Sequence, residues 1–62
     1  MKKTIIKIDN LYYQTYTLNG KPLFSNDVEK AYVFKSKHDA HYYYINILKF
    51  FNYKHPEFIE VK

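Results

Sequence analysis

SKHDAHYYYINILKFFN, residues 36–52, is the stretch that decides the fold. Ser36 is a strong helix N-cap, and Asp39, three residues on, can complete a capping box where the helix dipole favours an anion. From there Ala40, Tyr43, Tyr44, Ile47, Leu48 and Phe51 recur at i, i+3, i+4, i+7, i+8 and i+11. That is the spacing of one buried helix face. Asn52 and then His55-Pro56 end the run. A single amphipathic helix needs an apolar sheet to lie on, and the flanking segments supply it.

Immediately upstream, Ala31 to Lys35 reads as a strand with Tyr32 and Phe34 on one face and Ala31 and Val33 on the other. Ser25 to Lys30 reads as a turn, or one helical turn started by Ser25 or Asp27. Pro22 cannot donate a ladder hydrogen bond, so Lys21 to Phe24 is at most a short edge segment, entered through the Asn19-Gly20 turn. Farther upstream, Lys2 to Ile8 and Leu11 to Leu18 are two strands joined by Asp9-Asn10, residues that tolerate the positive φ of a two-residue hairpin.

Setting Ile8 opposite Leu11 brings Ile6 against Tyr13 and Thr4 against Thr15 on the expected core face. The outer face then carries Lys7 against Tyr12, Ile5 against Gln14 and Lys3 against Tyr16. A slip of one residue would exchange the two faces. Downstream, Glu57 to Val61 is a last strand, which a right-handed crossover from Ala31–Lys35 would place parallel to that segment in the same sheet. The fold class expected is α+β, in ββ(β)αβ order. A small, mostly antiparallel sheet of three to four strands carries one amphipathic helix on one face, and residues 1–62 form a single small domain.

A chain of 62 residues lies near the lower limit for a self-sufficient core, and without cysteine it has no disulfide to help. Such domains lean on self-association or on an unusually aromatic core, and at 21% aromatic this one is equipped for both. No apolar run approaches the ~20 residues of a membrane span. Met1-Lys2-Lys3 imitates the start of a signal peptide, but Thr4 to Ile8 is too short for its apolar region and is interrupted by Lys7. The expectation is a complete cytoplasmic protein, in the host cytoplasm if a phage encodes it, with no membrane partner.

The net charge is +4, and all ten basic residues are lysine. Lysine is a hydrated point charge without the planar fork that reads guanine edges, so weak attraction to polyanions is expected rather than base readout. Eight tyrosines include two tight clusters, Tyr12, Tyr13 and Tyr16, and Tyr42, Tyr43 and Tyr44. Neither helix nor strand geometry turns three near-consecutive side chains into one core, so some rings must face outward. An AT-rich genome also encodes an excess of Lys, Ile, Asn and Tyr, which leaves selection and drift as alternative sources of these clusters.

Catalysis and metal binding find little to work with. His38 and His41 stand three apart on the helix, but zinc needs further ligands, and Asp39 is accounted for as a cap residue. Of the two serines, Ser36 is the cap and Ser25 has no nucleophile elbow around it. A single glycine excludes a P-loop or a dinucleotide fingerprint. The reading is a non-enzyme with no cofactor and no metal.

Two surface constellations remain as candidate partner-binding or dimer sites. One is the outer helical stripe His38, Tyr42, Ile45 and Lys49, at i, i+4, i+7 and i+11, opposite the buried face. The other is the outer hairpin face, Lys3, Lys7, Tyr12, Gln14 and Tyr16 around Ile5. Aromatic rings flanked by lysines on a sheet suit single-stranded nucleic acid. The same set suits a homodimer contact, in which tyrosine brings area and a hydroxyl at small entropic cost. The five phenylalanines, Phe24, Phe34, Phe50, Phe51 and Phe58, are expected in the core or at its margin, with Tyr53 and His55 closing the helix end.

The run from Phe24 through Ser25, Asn26, Asp27, Val28, Glu29, Lys30, Ala31, Tyr32, Val33, Phe34 and Lys35 to Ser36, with Ala40 and a tyrosine-rich helix after it, resembles small uncharacterised proteins of phages and mobile elements in low-GC Gram-positive bacteria. The resemblance covers about the second half of the chain. It implies a non-catalytic inhibitor of a host protein or of an anti-phage defence protein such as a CRISPR component. Its basic charge disfavours the acidic DNA-mimic route. The leading expectation is therefore a homodimeric inhibitor of that kind. The alternative is a small basic nucleic-acid-binding accessory protein using the lysine–tyrosine sheet face.

Overall fold

The computed structural model describes residues 3–61. Asp9 and Asn10 turn the chain with φ of 52° and 66°, the left-handed pair that a type I′ hairpin demands. The turn joins β1 (Lys3–Ile8) to β2 (Leu11–Tyr16), with Ile8 opposite Leu11 and Lys7 opposite Tyr12 as the sequence predicts. The expected strand start at Lys2 lies outside the described residues. After a loop around Gly20 comes β3 (Pro22–Ser25), antiparallel to β2. The helix is α1 (Lys37–Asn46), and β4 (Glu57–Val61) closes the set, antiparallel to β1. The strands form one sheet ordered β3-β2-β1-β4. The architecture is α+β, an open four-stranded antiparallel sheet with one helix.

Two departures from the expected pairing shape the sheet. Below the hairpin turn β1 and β2 separate, and Ile6–Tyr13 and Thr4–Thr15 do not pair. Residues 32–34 enter the gap instead. Phe34 exchanges both backbone bonds with Thr4, at 3.0 and 2.7 Å, and Tyr32 donates to the Tyr13 carbonyl at 2.8 Å. The expected strand Ala31–Lys35 is thus a short wedge with a single bridge, Thr4 to Phe34. The wedge and β4 each run antiparallel to β1, from opposite sides, so they share one direction.

The second departure is a bulge. Tyr13 pairs with Phe24 and Thr15 with Leu23, which leaves Gln14 as the additional residue in β2. An inserted residue inverts the alternation beyond it. Tyr16 therefore falls in phase with Tyr13, and its expected place across from Lys3 is corrected. β2 also ends at Tyr16 rather than Leu18, because Thr17 begins the turn that Gly20 closes at φ 82°, by donating to the Thr17 carbonyl.

The core lies between the sheet and α1. Ile6, Ile8, Tyr13, Phe34, Ala40 and Leu48 are buried there, ringed by Phe24, Tyr43, Tyr44, Tyr53 and Phe58. Tyr13 is the hub. Its ring stands 4.8 Å from Tyr43, 5.9 Å from Phe24, 6.1 Å from Phe34 and 6.2 Å from Tyr32. Such pairs add about 0.5–1.5 kcal/mol each beyond the area they bury. The Tyr13 and Tyr43 hydroxyls share a hydrogen bond of 2.5 Å, and Tyr44 donates to the Tyr53 carbonyl at 2.6 Å, so the buried polar tips are satisfied. Burial, and then the Tyr43 hydroxyl, push the Tyr13 phenol above its ordinary range.

α1 starts where expected, with Ser36 Oγ accepting from the Asp39 amide at 3.2 Å. It stops six residues before the expected end. The Asn46 side chain donates to the Tyr42 carbonyl at 2.8 Å, a local bond that competes with helical pairing. Ile47 then leaves helical geometry (φ −123°, ψ −63°), and a 3-10 turn, Leu48–Phe51, is closed by left-handed Asn52. The tighter turn keeps Leu48 buried but carries Phe50 and Phe51 outward, which corrects their expected place at the core margin. Tyr53 stacks 4.6 Å from Phe24 as a helix-end plug, while His55 is exposed.

Candidate functional site

The outer face of α1 follows from its inner one. Once Ala40, Tyr43 and Tyr44 turn toward the sheet, the stripe His38, Tyr42 and Ile45 must point away from it. Tyr42 is 66% exposed and Ile45 45%. The helix break then adds a residue that periodicity places elsewhere: Phe50 is 80% exposed. With Ile45 and Lys49 it lines a groove of about 400 Å³. The structure thus brings Ile45 and Lys49 together, as the stripe predicts, and supplies Phe50 as a third wall.

His38 lies on the same stripe but opens onto a different hollow. It lines a second cavity, of about 370 Å³, with Lys37, His41 and Phe58 between α1 and β4. The His41 ring meets Phe58 edge-on at 5.4 Å. Among the described residues no third His, Asp or Glu side chain joins these two histidines in a metal-sized cluster.

The hairpin-face set divides. Lys3, Lys7 and Tyr12 stay on the outer face of the sheet. The Lys7 ammonium lies 5.7 Å from the centre of the Tyr12 ring, a cation–π contact inside the chain. Tyr16 is 65% exposed but in phase with Tyr13, and its phenol, with that of Tyr32, adds to the pressure on the Tyr13 phenol. Ile5 does sit among the outer-face residues, paired with Ile59, yet it is only 2% exposed. The outer face also holds Leu23 and Val33, both exposed, and half-buried Ile59 and Val61.

Phe50, Lys37, His41 and Phe58 line the two hollows although the sequence pattern gives none of them a contact role: His41 enters it only as a metal-ligand candidate, and Phe50 and Phe58 as core or core-margin residues. For Phe50 the available signal is Asn46, whose side chain bonds the Tyr42 carbonyl at the last residue of the helix. The other three depend on β4 lying beside α1, which is a tertiary fact. No helix of the described residues is long and apolar enough to cross a membrane. Comparison of the chain with protein-family models, with curated proteins and with solved structures gave no match in any of the three.

Proposed function

We propose that this chain is a non-enzymatic binding protein whose partner protein docks on the outer face of α1. In this reading it serves a phage or mobile element by occupying, and so inhibiting, a host or anti-phage defence protein. The observation that carries the binding reading is the exposure of Ile45 and Phe50 as walls of one groove, with Tyr42 exposed on the same helix stripe. A lone exposed leucine needs no explanation, but three large residues in one patch do. Tyrosine and phenylalanine are also among the residue types enriched at binding surfaces. The inhibitor role rests on the likeness to phage proteins read from residues 24–36. In this reading self-association uses the other exposed apolar surface, the outer sheet face, where Leu23 and Val33 are exposed.

The test is a paired pull-down from host lysate with the wild-type chain and Tyr42→Ala/Phe50→Ala. Both side chains are exposed, so the variant should melt within about 0.5 kcal/mol of the wild type. A protein retained by the wild type and lost by the variant, but kept by Tyr16→Ala, supports the reading. Identical retention by all three chains would mean that the helix face is not the site.

A further inference from the structure

We infer that the partner segment held on α1 is acidic and amphipathic, engaging the Ile45–Lys49–Phe50 groove with an apolar side chain and the Lys37–His38–His41–Phe58 cavity with a carboxylate. This deepens the reading of that face as protein-binding and rests on it.

Charge distribution carries the inference. From Ala40 to Pro56 the chain contains no Asp or Glu, while Lys49, Lys54, His41 and His55 fall in that span. The one acid within α1 is Asp39, in its first turn. Lys37 and Lys49 are both exposed, so their ammonium groups face an incoming anion. The two hollows differ in chemistry. One has two apolar walls and a single lysine. The other has a lysine and two imidazoles set against an aromatic ring, which fits a carboxylate carried on a short methylene stem.

Their spacing points to the shape of the occupant. His38 and Ile45 are seven residues apart, about 10 Å along a helix. A partner helix with an acidic residue and an apolar residue two turns apart spans both hollows, in the helix-in-groove manner. A second copy of this chain fits worse. It would set Lys37, Lys49 and the histidines of one copy against the like set of the other, where Asp39 is the one acid of α1, at a repulsive cost. A bare polyanion would leave Tyr42, Ile45 and Phe50 uncovered.

The experiment follows backbone amides of the isotopically labelled full chain by NMR during three titrations. One probe is a synthetic amphipathic helix with leucines at i, i+3, i+4 and i+7 and glutamates on its flanks. The second replaces each glutamate by glutamine. The third is a vesicle of mixed phosphatidylglycerol and phosphatidylcholine. The inference expects the acidic peptide to shift amides of residues 38–50, and the glutamine peptide to bind about three- to tenfold more weakly, the worth of two exposed charge contacts. Lys37→Gln/Lys49→Gln should abolish the difference between the peptides without changing the melting temperature.

Equal binding of the two peptides overturns the inference and leaves the protein-binding reading standing. So does failure of both peptides to move α1 amides while the Tyr42/Phe50-dependent pull-down succeeds. Failure of both peptides and of that pull-down ends both readings. Shifts of α1 with vesicles alone would identify a lipid surface as the occupant, and the inference would again be wrong.

Discussion

Thr4 offers a sharp test of how the sheet is built. Its backbone is fully engaged, exchanging bonds of 3.0 and 2.7 Å with Phe34 across the wedge. Its side chain is completely buried, and Oγ1 has no hydrogen-bond partner. A hydroxyl desolvated without a partner costs about 1–3 kcal/mol. Valine has nearly the same shape and the same branching at Cβ, so Thr4→Val removes that penalty while keeping strand preference and packing. We expect a gain of about 1–2 kcal/mol. For 62 residues at about 2.1 cal/mol/K each, the unfolding entropy is about 130 cal/mol/K, so each kcal/mol is worth about 8 °C. Differential scanning calorimetry should therefore show a melting temperature higher by about 8–15 °C. Urea unfolding should show a higher midpoint at unchanged slope. Thr15→Val, at a half-buried site, is the control and should move stability by less than about 0.5 kcal/mol. A Thr4→Val protein no more stable than the wild type would show that the hydroxyl is satisfied in solution, and that the packing around the wedge differs from that described.

Tyr13 predicts a specific weakness to alkali. Its phenol is held protonated in the folded chain above the ordinary value of 10.0. As pH rises past about 10, the unfolded chain loses this proton and the folded chain does not. Stability that is intact below pH 10 therefore falls, by up to about 1.4 kcal/mol per pH unit for this group. Melting temperatures from pH 8 to pH 11 should decline more steeply for the wild type than for Tyr13→Phe, and parallel curves would contradict the assignment. At neutral pH the same variant should lose about 1 kcal/mol with the hydroxyl pair, read by urea unfolding. Ser36→Ala should cost about 1 kcal/mol in the same assay, because it removes the only side-chain cap of α1. Asn52→Gly should be neutral or slightly stabilising, because position 52 is left-handed at φ 66°, whereas Asn52→Ala should destabilise by roughly 1 kcal/mol.

What was legible in the sequence is local. Ser36 caps a helix by its own chemistry, Asp9-Asn10 accepts positive φ unaided, and Ala40, Tyr43, Tyr44 and Leu48 declare a face by spacing alone. Those signals recovered the hairpin register at Ile8–Leu11, the bounds of β4 and the α+β class. The bulge at Gln14 and the wedge at residues 32–34 are different in kind. Each is a choice between two backbone partners for β1 or β2, and it is decided by which arrangement lets Phe34 and Tyr13 pack together. No periodicity within a strand records that competition, so pattern alone puts Tyr16 across from Lys3 and makes Ala31–Lys35 a full strand. The helix end differs for a related reason: apolar spacing continues through Phe51, while the α-helix stops at Asn46. Half of the candidate surface was visible as a stripe. Phe50 reaches it through that earlier helix end.

The placement of β1 also fixes the order in which this protein can be made. β1 precedes its neighbours in the sequence: the wedge comes some 30 residues later, and β4, which pairs Thr4 with Glu60, later still. Only the two residue pairs beside the turn bind it to the adjacent strand. Ile5 and Ile6 therefore wait uncovered until β4 has been translated. Partners so distant in sequence slow folding and leave little that could stand as a partial structure. A nascent chain halted before Glu57 would carry a bare apolar strand, open to pairing with its siblings. This sheet cannot close before β4 is made, and truncation upstream of β4 should yield aggregates rather than a smaller folded unit.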